Sequence, residues 1–194
     1  MIKKLAIFIF LSLFLVQVQA QKKPEFVEFI NTQHAWVDSV FQTLSPKERI
    51  AQLFLVRAHT NLGQKYIDSV AQVIQKEQLG GLVVFQGGPL RHAQMLNAYQ
   101  KLTKVPLLVT YDGEWGLGMR MPDSTLSYPY QLTLGAIQNE SLLYDMGRSV
   151  AKDFQRIGMH FNFAPVVDIN NNPKNPVIGI RSFGDDKHNV ARKS

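Results

Sequence analysis

The chain has 194 residues, of which 45% are hydrophobic and 19% charged, and its formal net charge is +6. This composition is typical of a globular protein and excludes collagen-like, coiled-coil and low-complexity chains. Basic and acidic residues are interleaved, so the sequence lacks the continuous basic stripe that binding to a nucleic-acid backbone requires, and we expect no nucleic-acid partner. The absence of cysteine excludes disulfides, thiolate metal sites and cysteine nucleophiles.

The first twenty residues have the organisation of a secretory signal peptide. Lys3 and Lys4 precede an apolar run over residues 5–16, and cleavage is expected after Ala20. The alternative is a membrane anchor, but the apolar run is shorter than the roughly 18 residues that a transmembrane helix needs. We therefore expect residues 1–20 to be removed. The mature chain, residues 21–194, would then be periplasmic or secreted and have no membrane contact.

Helix signals recur along the mature chain. Apolar residues spaced three and four apart between Phe26 and Phe41 predict one amphipathic helix. Ser45, Pro46 and Glu48 match a capping box and predict the start of the next helix. Further periodic segments and end signals predict four more helices: one ending at Gly80, one starting at Pro89, one over residues 141–157 and one starting near Asp185.

Short apolar runs alternate with these helices at residues 53–56, 82–85, 106–111 and 160–164. The apolar residues are consecutive, which indicates strands buried on both faces of a parallel sheet. Two architectures fit: a small doubly wound domain, or the first half of a (β/α)8 barrel, a fold that needs about 250 residues. Because the last predicted helix begins only a few residues before Ser194, we expect the barrel, truncated at its C-terminus.

The loop after the third predicted strand carries the clearest candidate functional side chains. Asp112 and Glu114 are two residues apart on an extended segment, which turns both carboxylates to one side, with Trp115 beside them as a surface for sugar stacking. Spacing alone leaves two alternatives open: the acid pair of an inverting glycosidase, or a turn capped by Asp112 with Glu114 solvated. The glycines of this loop lack the spacing of a nucleotide-binding loop, and the histidines lack metal-ligand spacing. The sequence predicts no cofactor and no metal.

Three motifs together resemble the N-terminal half of family 3 glycoside hydrolases. The first is Asp112-x-Glu114-x-Gly116 with Arg120 behind it, the second is Phe-Ala-Pro-Val-Val-Asp-Ile at residues 163–169, and the third is Val-Ile-Gly-Ile-Arg-Ser-Phe-Gly at residues 177–184. The similarity extends from about residue 44 to the end of the chain. The Ile-Gly-x-Arg-Ser-Phe stretch is more similar to the β-N-acetylglucosaminidase branch than to the β-glucosidases.

The resemblance implies a (β/α)8 TIM-barrel fold, of which this chain carries about four βα units, and a retaining mechanism through a covalent glycosyl-enzyme intermediate. It implies a glycan or amino-sugar oligosaccharide as substrate, such as a peptidoglycan fragment with β-linked N-acetylglucosamine. It also implies that Asp112, Arg120 and Arg181 bind the sugar, which replaces the inverting-pair interpretation. Further candidates for substrate binding are Glu114, Trp115 and Asp168.

The sequence departs from the family pattern in two places. The Lys-His-Phe-Pro-Gly motif, the His-Asp acid/base pair and the aspartate nucleophile of the acetylglucosaminidase branch are absent from residues 1–194, so the resemblance places them downstream of Ser194. We therefore expect this chain alone to be inactive. The stretch from Trp115 to Gly118 stands where family members carry Gly-Gly-Arg-Val. Two alternatives stay open: a non-catalytic glycan-binding or scaffold protein, and a β-glucosidase of the same family.

Overall fold

A computed structural model describes residues 26–194, and the predicted signal peptide, residues 1–20, lies outside the described residues. Contacts between Cα atoms divide the chain into two units, one ending at Gln42 and one over Thr43–Ser194. The described part of the first unit contains α1 (Phe26–Asn31) and most of α2 (Ala35–Thr43).

The prediction of one continuous helix at the start of the mature chain is wrong, because α1 ends at Asn31. The Thr32 amide donates to the carbonyl of Phe29, three residues back, and its hydroxyl donates to the carbonyl of Glu28. The Asn31 amide side chain donates to the carbonyl of Val27 at 2.7 Å. Asn and Thr side chains that bond nearby carbonyls compete with the helix backbone, and here they accompany the break.

Helices and parallel strands alternate along the second unit. Its regular elements are α3 (Pro46–Ala51), β1 (Leu55–Ala58), α4 (Gln64–Glu77), β2 (Gly81–Val84), α5 (Pro89–Gln100), β3 (Leu108–Tyr111), α6 (Gln131–Gly135), α7 (Ser141–Ile157), β4 (Phe161–Asn162) and α8 (Lys187–Lys193), with short 3-10 turns at Leu117–Met119 and Gly179–Arg181.

The local end signals of three helices are confirmed. Ser45 and Glu48 form the predicted capping box, in which the Ser45 amide lies 2.8 Å from Glu48 Oε2. Helix α7 ends at Gly158, which adopts the left-handed conformation with φ 85°. Asp186 caps α8, and its carboxylate accepts from the His188 amide. These ends follow from side chains within a few residues of each helix terminus.

The first strand begins two residues later than predicted. The amides of Leu53 and Phe54 bond back to carbonyls of α3 at 3.0 Å and form a turn. Both side chains are exposed, Leu53 by 80% and Phe54 by 57%. The apolar run therefore begins in a helix-terminating turn, and only its second half joins the sheet.

Helix α4 ends earlier than predicted, at Glu77, because Gln78 adopts the left-handed conformation with φ 53°. Gly80 has a different role. A Cβ atom at Gly80 would lie 1.9 Å from the carbonyl oxygen of Gln52, so this position needs glycine for a close backbone approach. This approach brings the turn after α3 against the start of β2.

The four strands form one parallel sheet in the order β1-β2-β3-β4. Val56 pairs with Leu82, and Leu82 pairs with Val109. Each strand is therefore added beside the one before it, and the order does not reverse within the described residues. A doubly wound domain would show such a reversal.

Helices cover one face of this sheet. Leu82, Val84, Val109 and Tyr111 are at most 1% exposed and belong to a core cluster that contains side chains from α4, α5 and α7. The alternate positions point to the other face, where Leu55 is 38%, Leu108 47% and Phe161 44% exposed. The doubly wound alternative is thus wrong. The second face of the sheet is partly exposed within residues 26–194. Sequential parallel strands with helices on one face are units of a (β/α)8 barrel. None of the helices between residues 26 and 194 combines the length and the apolar character that a transmembrane span requires.

Candidate functional site

A polar cluster lies at the carboxyl edge of the sheet. His59 follows β1, Phe85 follows β2 and Asp112 follows β3. Because the strands are parallel, these positions share one edge, which is where α/β folds place their sites. Two arginines belong to the same cluster: Arg120 follows the first 3-10 turn, and Arg181 ends the second.

Glu114 and Arg181, 67 residues apart in sequence, form a two-pronged ion pair. Arg181 Nη2 lies 2.7 Å from Glu114 Oε1, and Arg181 Nε lies 2.9 Å from Glu114 Oε2. The side chain of Glu114 is 4% exposed and that of Arg181 is 34% exposed. The hydrogen bonds to Glu114, with the negative charges of Glu114, Asp168 and Asp112, raise the pKa of Arg181. The alternative in which Glu114 is a solvated loop residue is wrong.

The donors of Arg181 are only partly used. A guanidinium group carries five N–H bonds. Glu114 accepts from Nε and from one N–H of Nη2, and the carbonyl of Val177 lies 3.3 Å from Nη1. One N–H on each terminal nitrogen therefore has no acceptor among residues 26–194. Two free donors on a fixed, partly exposed group are suited to hold sugar hydroxyls or carbonyl oxygens.

Asp112 is paired with Arg120. Arg120 Nη2 lies 3.4 Å from Asp112 Oδ2. The guanidinium carbon of Arg120 also lies 4.7 Å from the centre of the Phe85 ring, in a cation–π contact. The side chain of Asp112 is 38% exposed, whereas that of Arg120 is 19% exposed. The arginine is thus held between two partners while the carboxylate stays accessible.

Two histidines pack next to this cluster. The His59 ring stacks on Phe85, with ring centres 5.2 Å apart. His92 is fully buried, and its Nδ1 lies 2.9 Å from the Gly88 carbonyl and 3.2 Å from Thr60 Oγ1. Burial is the main cause that lowers the pKa of both rings.

Backbone contacts hold the loop that carries Asp112 and Glu114. Asn162, the last residue of β4, accepts from the Gly113 amide at 2.9 Å and donates to the Gly113 carbonyl at 3.4 Å. The buried side chain of Gln131 donates to the Glu114 carbonyl at 2.9 Å. The two carboxylates are therefore presented by a backbone that is anchored on both sides of the loop.

Asp168 and Arg181 lie on two arms of a loop that Ser182 closes. Ser182 Oγ donates to the Asp168 carbonyl at 2.5 Å and accepts from the Gly184 amide at 3.2 Å. The Asp168 side chain is exposed and has no hydrogen-bond partner among the described residues. Its negative charge contributes to the raised pKa of Arg181.

Trp115 contributes a partly exposed aromatic surface next to Glu114 in sequence. Its ring packs edge to face against Tyr130 with centres 4.7 Å apart, and Tyr130 is 44% exposed. The Trp115 carbonyl accepts from the Tyr128 amide at 3.1 Å, which fixes the turn. Both rings remain accessible for stacking on a planar or sugar surface.

The structure thus brings Asp112, Glu114, Arg120 and Arg181 together. Three neighbours that hold them, Phe85, Asn162 and Gln131, were missed by the sequence reasoning. Phe85 and Asn162 stand at strand ends, as Asp112 does, and that position was a usable signal. Gln131 gives no such signal, because a lone glutamine at a helix start looks like a surface residue.

The chemistry of this cluster is that of binding by fixed charges. Each carboxylate faces a guanidinium, so neither pair needs to gain or lose a proton to hold a neutral ligand. Within residues 26–194, no three His, Asp or Glu side chains gather in a metal-binding group.

Comparison with known proteins identifies relatives over most of the second unit. A family model described as the glycosyl hydrolase family 3 N-terminal domain matches residues 45–193. Beta-hexosaminidase A of Pseudoalteromonas piscicida is 28% identical over 128 residues, which cover 60% of this chain and 21% of that protein. The beta-hexosaminidase of Thiobacillus denitrificans is 29% identical over 137 residues, covering 66% of this chain and 38% of that protein.

Solved structures share the fold. A family 3 beta-N-acetylglucosaminidase from Paenibacillus has a TM-score of 0.67 and 32% identity, covering 77% of this chain and 29% of that chain. The beta-glucoside phosphorylase BglX has a TM-score of 0.73 and 25% identity, covering 81% of this chain and 28% of that chain. The chain therefore spans well under half the length of these relatives.

Proposed function

Since the chain belongs to glycosyl hydrolase family 3, matching its N-terminal domain over residues 45–193, we propose that it is the sugar-binding half of an exported, retaining β-N-acetylhexosaminidase. Residues 21–194 would be the mature part and would form the first units of a (β/α)8 barrel. The remaining units would come from chain beyond Ser194, because the relatives are much longer than the stretch they share with this chain.

One observation carries this proposal: two carboxylate–guanidinium pairs meet at the carboxyl edge of the sheet. A carboxylate accepts hydrogen bonds from two sugar hydroxyls, and guanidinium N–H groups donate to their oxygens. Asp112 is the accessible acceptor, and Arg120 and Arg181 are the donors. Asp168 and Trp115 extend the site with an acceptor and a stacking surface.

The sugar we favour is β-linked N-acetylglucosamine. The Ile-Gly-x-Arg-Ser-Phe stretch at residues 178–183 supports it, because this stretch is more similar to the β-N-acetylglucosaminidase branch than to the β-glucosidases. The names of the hexosaminidase relatives support it as well. Peptidoglycan or chitin-type fragments are the glycans that carry such a sugar.

The nucleophile and the acid/base would be supplied by later barrel loops. Among the described candidates, both carboxylate oxygens of Glu114 accept hydrogen bonds from Arg181, and the carboxylate of Asp112 faces Arg120. Neither is placed as a group that exchanges protons or forms a sugar ester. This chain alone would bind sugar and would not hydrolyse it.

The test uses the full-length protein with two chromogenic substrates, 4-nitrophenyl N-acetyl-β-glucosaminide and 4-nitrophenyl β-glucoside. We expect the higher kcat/KM on the N-acetylglucosaminide. Proton NMR of the first product formed should show the β-anomer, because a retaining enzyme keeps the configuration. No turnover of either substrate would support the binding or scaffold alternative, and an initial α-anomer would exclude the retaining mechanism.

A β-glucoside substrate is the second candidate. It is favoured by the structural similarity to BglX, a protein named for β-glucosides. A kcat/KM that is higher for the β-glucoside would select it.

Export is tested by the N-terminus of the protein recovered from the cell envelope. We expect N-terminal sequencing to begin at or near Gln21. A chain that retains Met1 would instead support the anchor.

A further inference from the structure

We propose that Glu114 is a positioning residue that aims Arg181 at the substrate and does not touch the substrate itself. This inference rests on the proposed sugar-binding function of the same edge. It assigns different roles to two carboxylates only two residues apart. Asp112 binds the sugar, whereas Glu114 holds Arg181, which binds the sugar.

The first argument is the occupancy of the Glu114 carboxylate. Both oxygens accept from Arg181, with Oε1 at 2.7 Å from Nη2 and Oε2 at 2.9 Å from Nε. The side chain is only 4% exposed. A carboxylate enclosed by a two-pronged contact has little surface left for a sugar hydroxyl, whereas Asp112 keeps 38% of its side chain exposed.

The second argument is the direction that the contact imposes on Arg181. The fork shape of a guanidinium lets a carboxylate fix its plane as well as its position. With Nε and one N–H of Nη2 held by Glu114, the N–H groups without an acceptor, one on Nη2 and one on Nη1, point away from that carboxylate. A single point contact would leave the plane free to rotate.

The third argument is that Glu114 is itself held rigidly. Gln131 donates to its carbonyl at 2.9 Å, and Asn162 bonds both backbone groups of the preceding Gly113. The ion pair therefore joins the loop after β3 to the distant turn that carries Arg181. Arg181 sits on a short 3-10 turn, which by itself would not fix a long side chain.

The experiment compares wild type, Glu114→Gln, Arg181→Lys and the double variant of the full-length protein on the chromogenic glycoside that the wild type prefers. Glutamine keeps the size of the side chain but turns an N–H towards the guanidinium in place of one oxygen. We expect Glu114→Gln to raise KM roughly tenfold while kcat changes much less, because substrate binding is lost rather than chemistry. Both limbs of the pH–rate profile should remain.

The double variant provides the second readout. If Glu114 acts only through Arg181, the double variant should have the KM of Arg181→Lys alone, within about twofold. Glu140→Gln is the matched control, since Glu140 also pairs with an arginine, Arg192, but at an exposed position, with Glu140 Oε1 3.3 Å from Arg192 Nε. We expect its KM to equal that of wild type.

Several results would overturn the inference. A fall in kcat with unchanged KM would indicate a purely structural role for Glu114, and a thousandfold loss with one missing pH limb would indicate an acid or base. Additive effects in the double variant would show that Glu114 acts independently of Arg181.

The failure of the proposed function would be recognised separately. If the wild type turned over no glycoside, the same variants would be compared for binding of N-acetylglucosamine by calorimetry. Weaker binding by Glu114→Gln would support the positioning role in a binding protein. An unchanged Kd would overturn it.

Discussion

Substitutions of Asp112 and of Arg181 would affect the protein differently, because only Arg181 neutralises a buried charge. Arg181 neutralises the buried carboxylate of Glu114, so its removal leaves a buried charge unpaired, which costs about 3–5 kcal/mol. Loss of activity in Arg181→Ala would then mix binding with folding. Asp112 is partly exposed, and its contact with Arg120 is long at 3.4 Å. Asp112 is therefore the better residue for measuring the contribution of one sugar contact.

We predict that Asp112→Asn in the full-length protein lowers kcat/KM and leaves the pH profile intact. A hydrogen bond to a charged group contributes about 1.5–3 kcal/mol, which corresponds to a loss of roughly 10- to 150-fold. The matched control is Asp123→Asn, an exposed position in the same loop, with unchanged kcat/KM expected. If Asp112→Asn abolished turnover and removed one limb of the pH profile, Asp112 would be an acid/base or a nucleophile. The interpretation of Asp112 and Glu114 as the acid pair of an inverting glycosidase would then be restored.

At the scale of single elements, the capping box of α3 makes a prediction about pH. The pKa of Glu48 is lowered from 4.5 to about 2, chiefly because Lys104 donates to its carboxylate, and then because the Ser45 amide does. A carboxylate with a lower pKa in the folded state stabilises the fold above the unfolded pKa, and this contribution is lost as the pH falls towards the folded pKa.

We expect Glu48→Gln to lower Tm at pH 7. The difference in Tm from wild type should shrink as the pH falls from about 4.5 to about 2, because the wild-type carboxylate then gains its proton. Thermal unfolding of wild type and Glu48→Gln across this pH range measures the difference in Tm. A Tm difference that stays constant down to pH 2 would show that the charge of Glu48 is not what stabilises the helix start.

Two glycines give opposite predictions for the same substitution. A Cβ at Gly80 would lie 1.9 Å from the backbone oxygen of Gln52, whereas a Cβ at Gly147, within α7, would meet nothing within 4 Å. We expect Gly80→Ala to lower the free energy of unfolding by at least about 1–3 kcal/mol. Gly147→Ala should raise it by about 0.5–1 kcal/mol, because alanine favours the helix. Urea denaturation measures both changes in the free energy of unfolding, and shifts of the same sign would contradict this difference in packing.

For the molecule as a whole, the uncovered face of the sheet is the dominant feature. Leu55, Leu108 and Phe161 on that face are 38–47% exposed. In a complete barrel this face is the interior and is filled by side chains from all the strands. Exposed apolar patches of this kind are prone to association.

We therefore predict that residues 21–194, expressed alone, bind the dye ANS strongly and self-associate. The cause is the uncovered face together with the open backbone edges of the sheet. Size-exclusion chromatography at several concentrations and ANS fluorescence measure the two effects, with the full-length protein as the control. A stable monomer that does not increase ANS fluorescence would contradict the prediction.

Features that depend on neighbours within a few residues can be read from the chain alone. The capping box at Ser45, the start of α5 at Pro89 and the end of α7 at Gly158 were all correctly predicted, because caps and helix breakers act locally. The motifs around Asp112 and Arg181 likewise identified the family, since their residue types and order are properties of the chain alone.

Which distant residues come into contact follows from the folded structure. Nothing in the local sequence shows that Glu114 pairs with Arg181 or that Phe85 supports Arg120, because these contacts join segments that only folding brings together. The apolar strand runs likewise did not reveal that helices cover a single face of the sheet. The pattern of apolar residues indicates which faces of a strand are apolar, but it does not show which elements pack against each face. Asp112 and Glu114 come from one motif, but their long-range contacts differ. Asp112 faces Arg120 and stays accessible, whereas Glu114 is enclosed by Arg181, and the roles proposed for the two carboxylates differ for that reason.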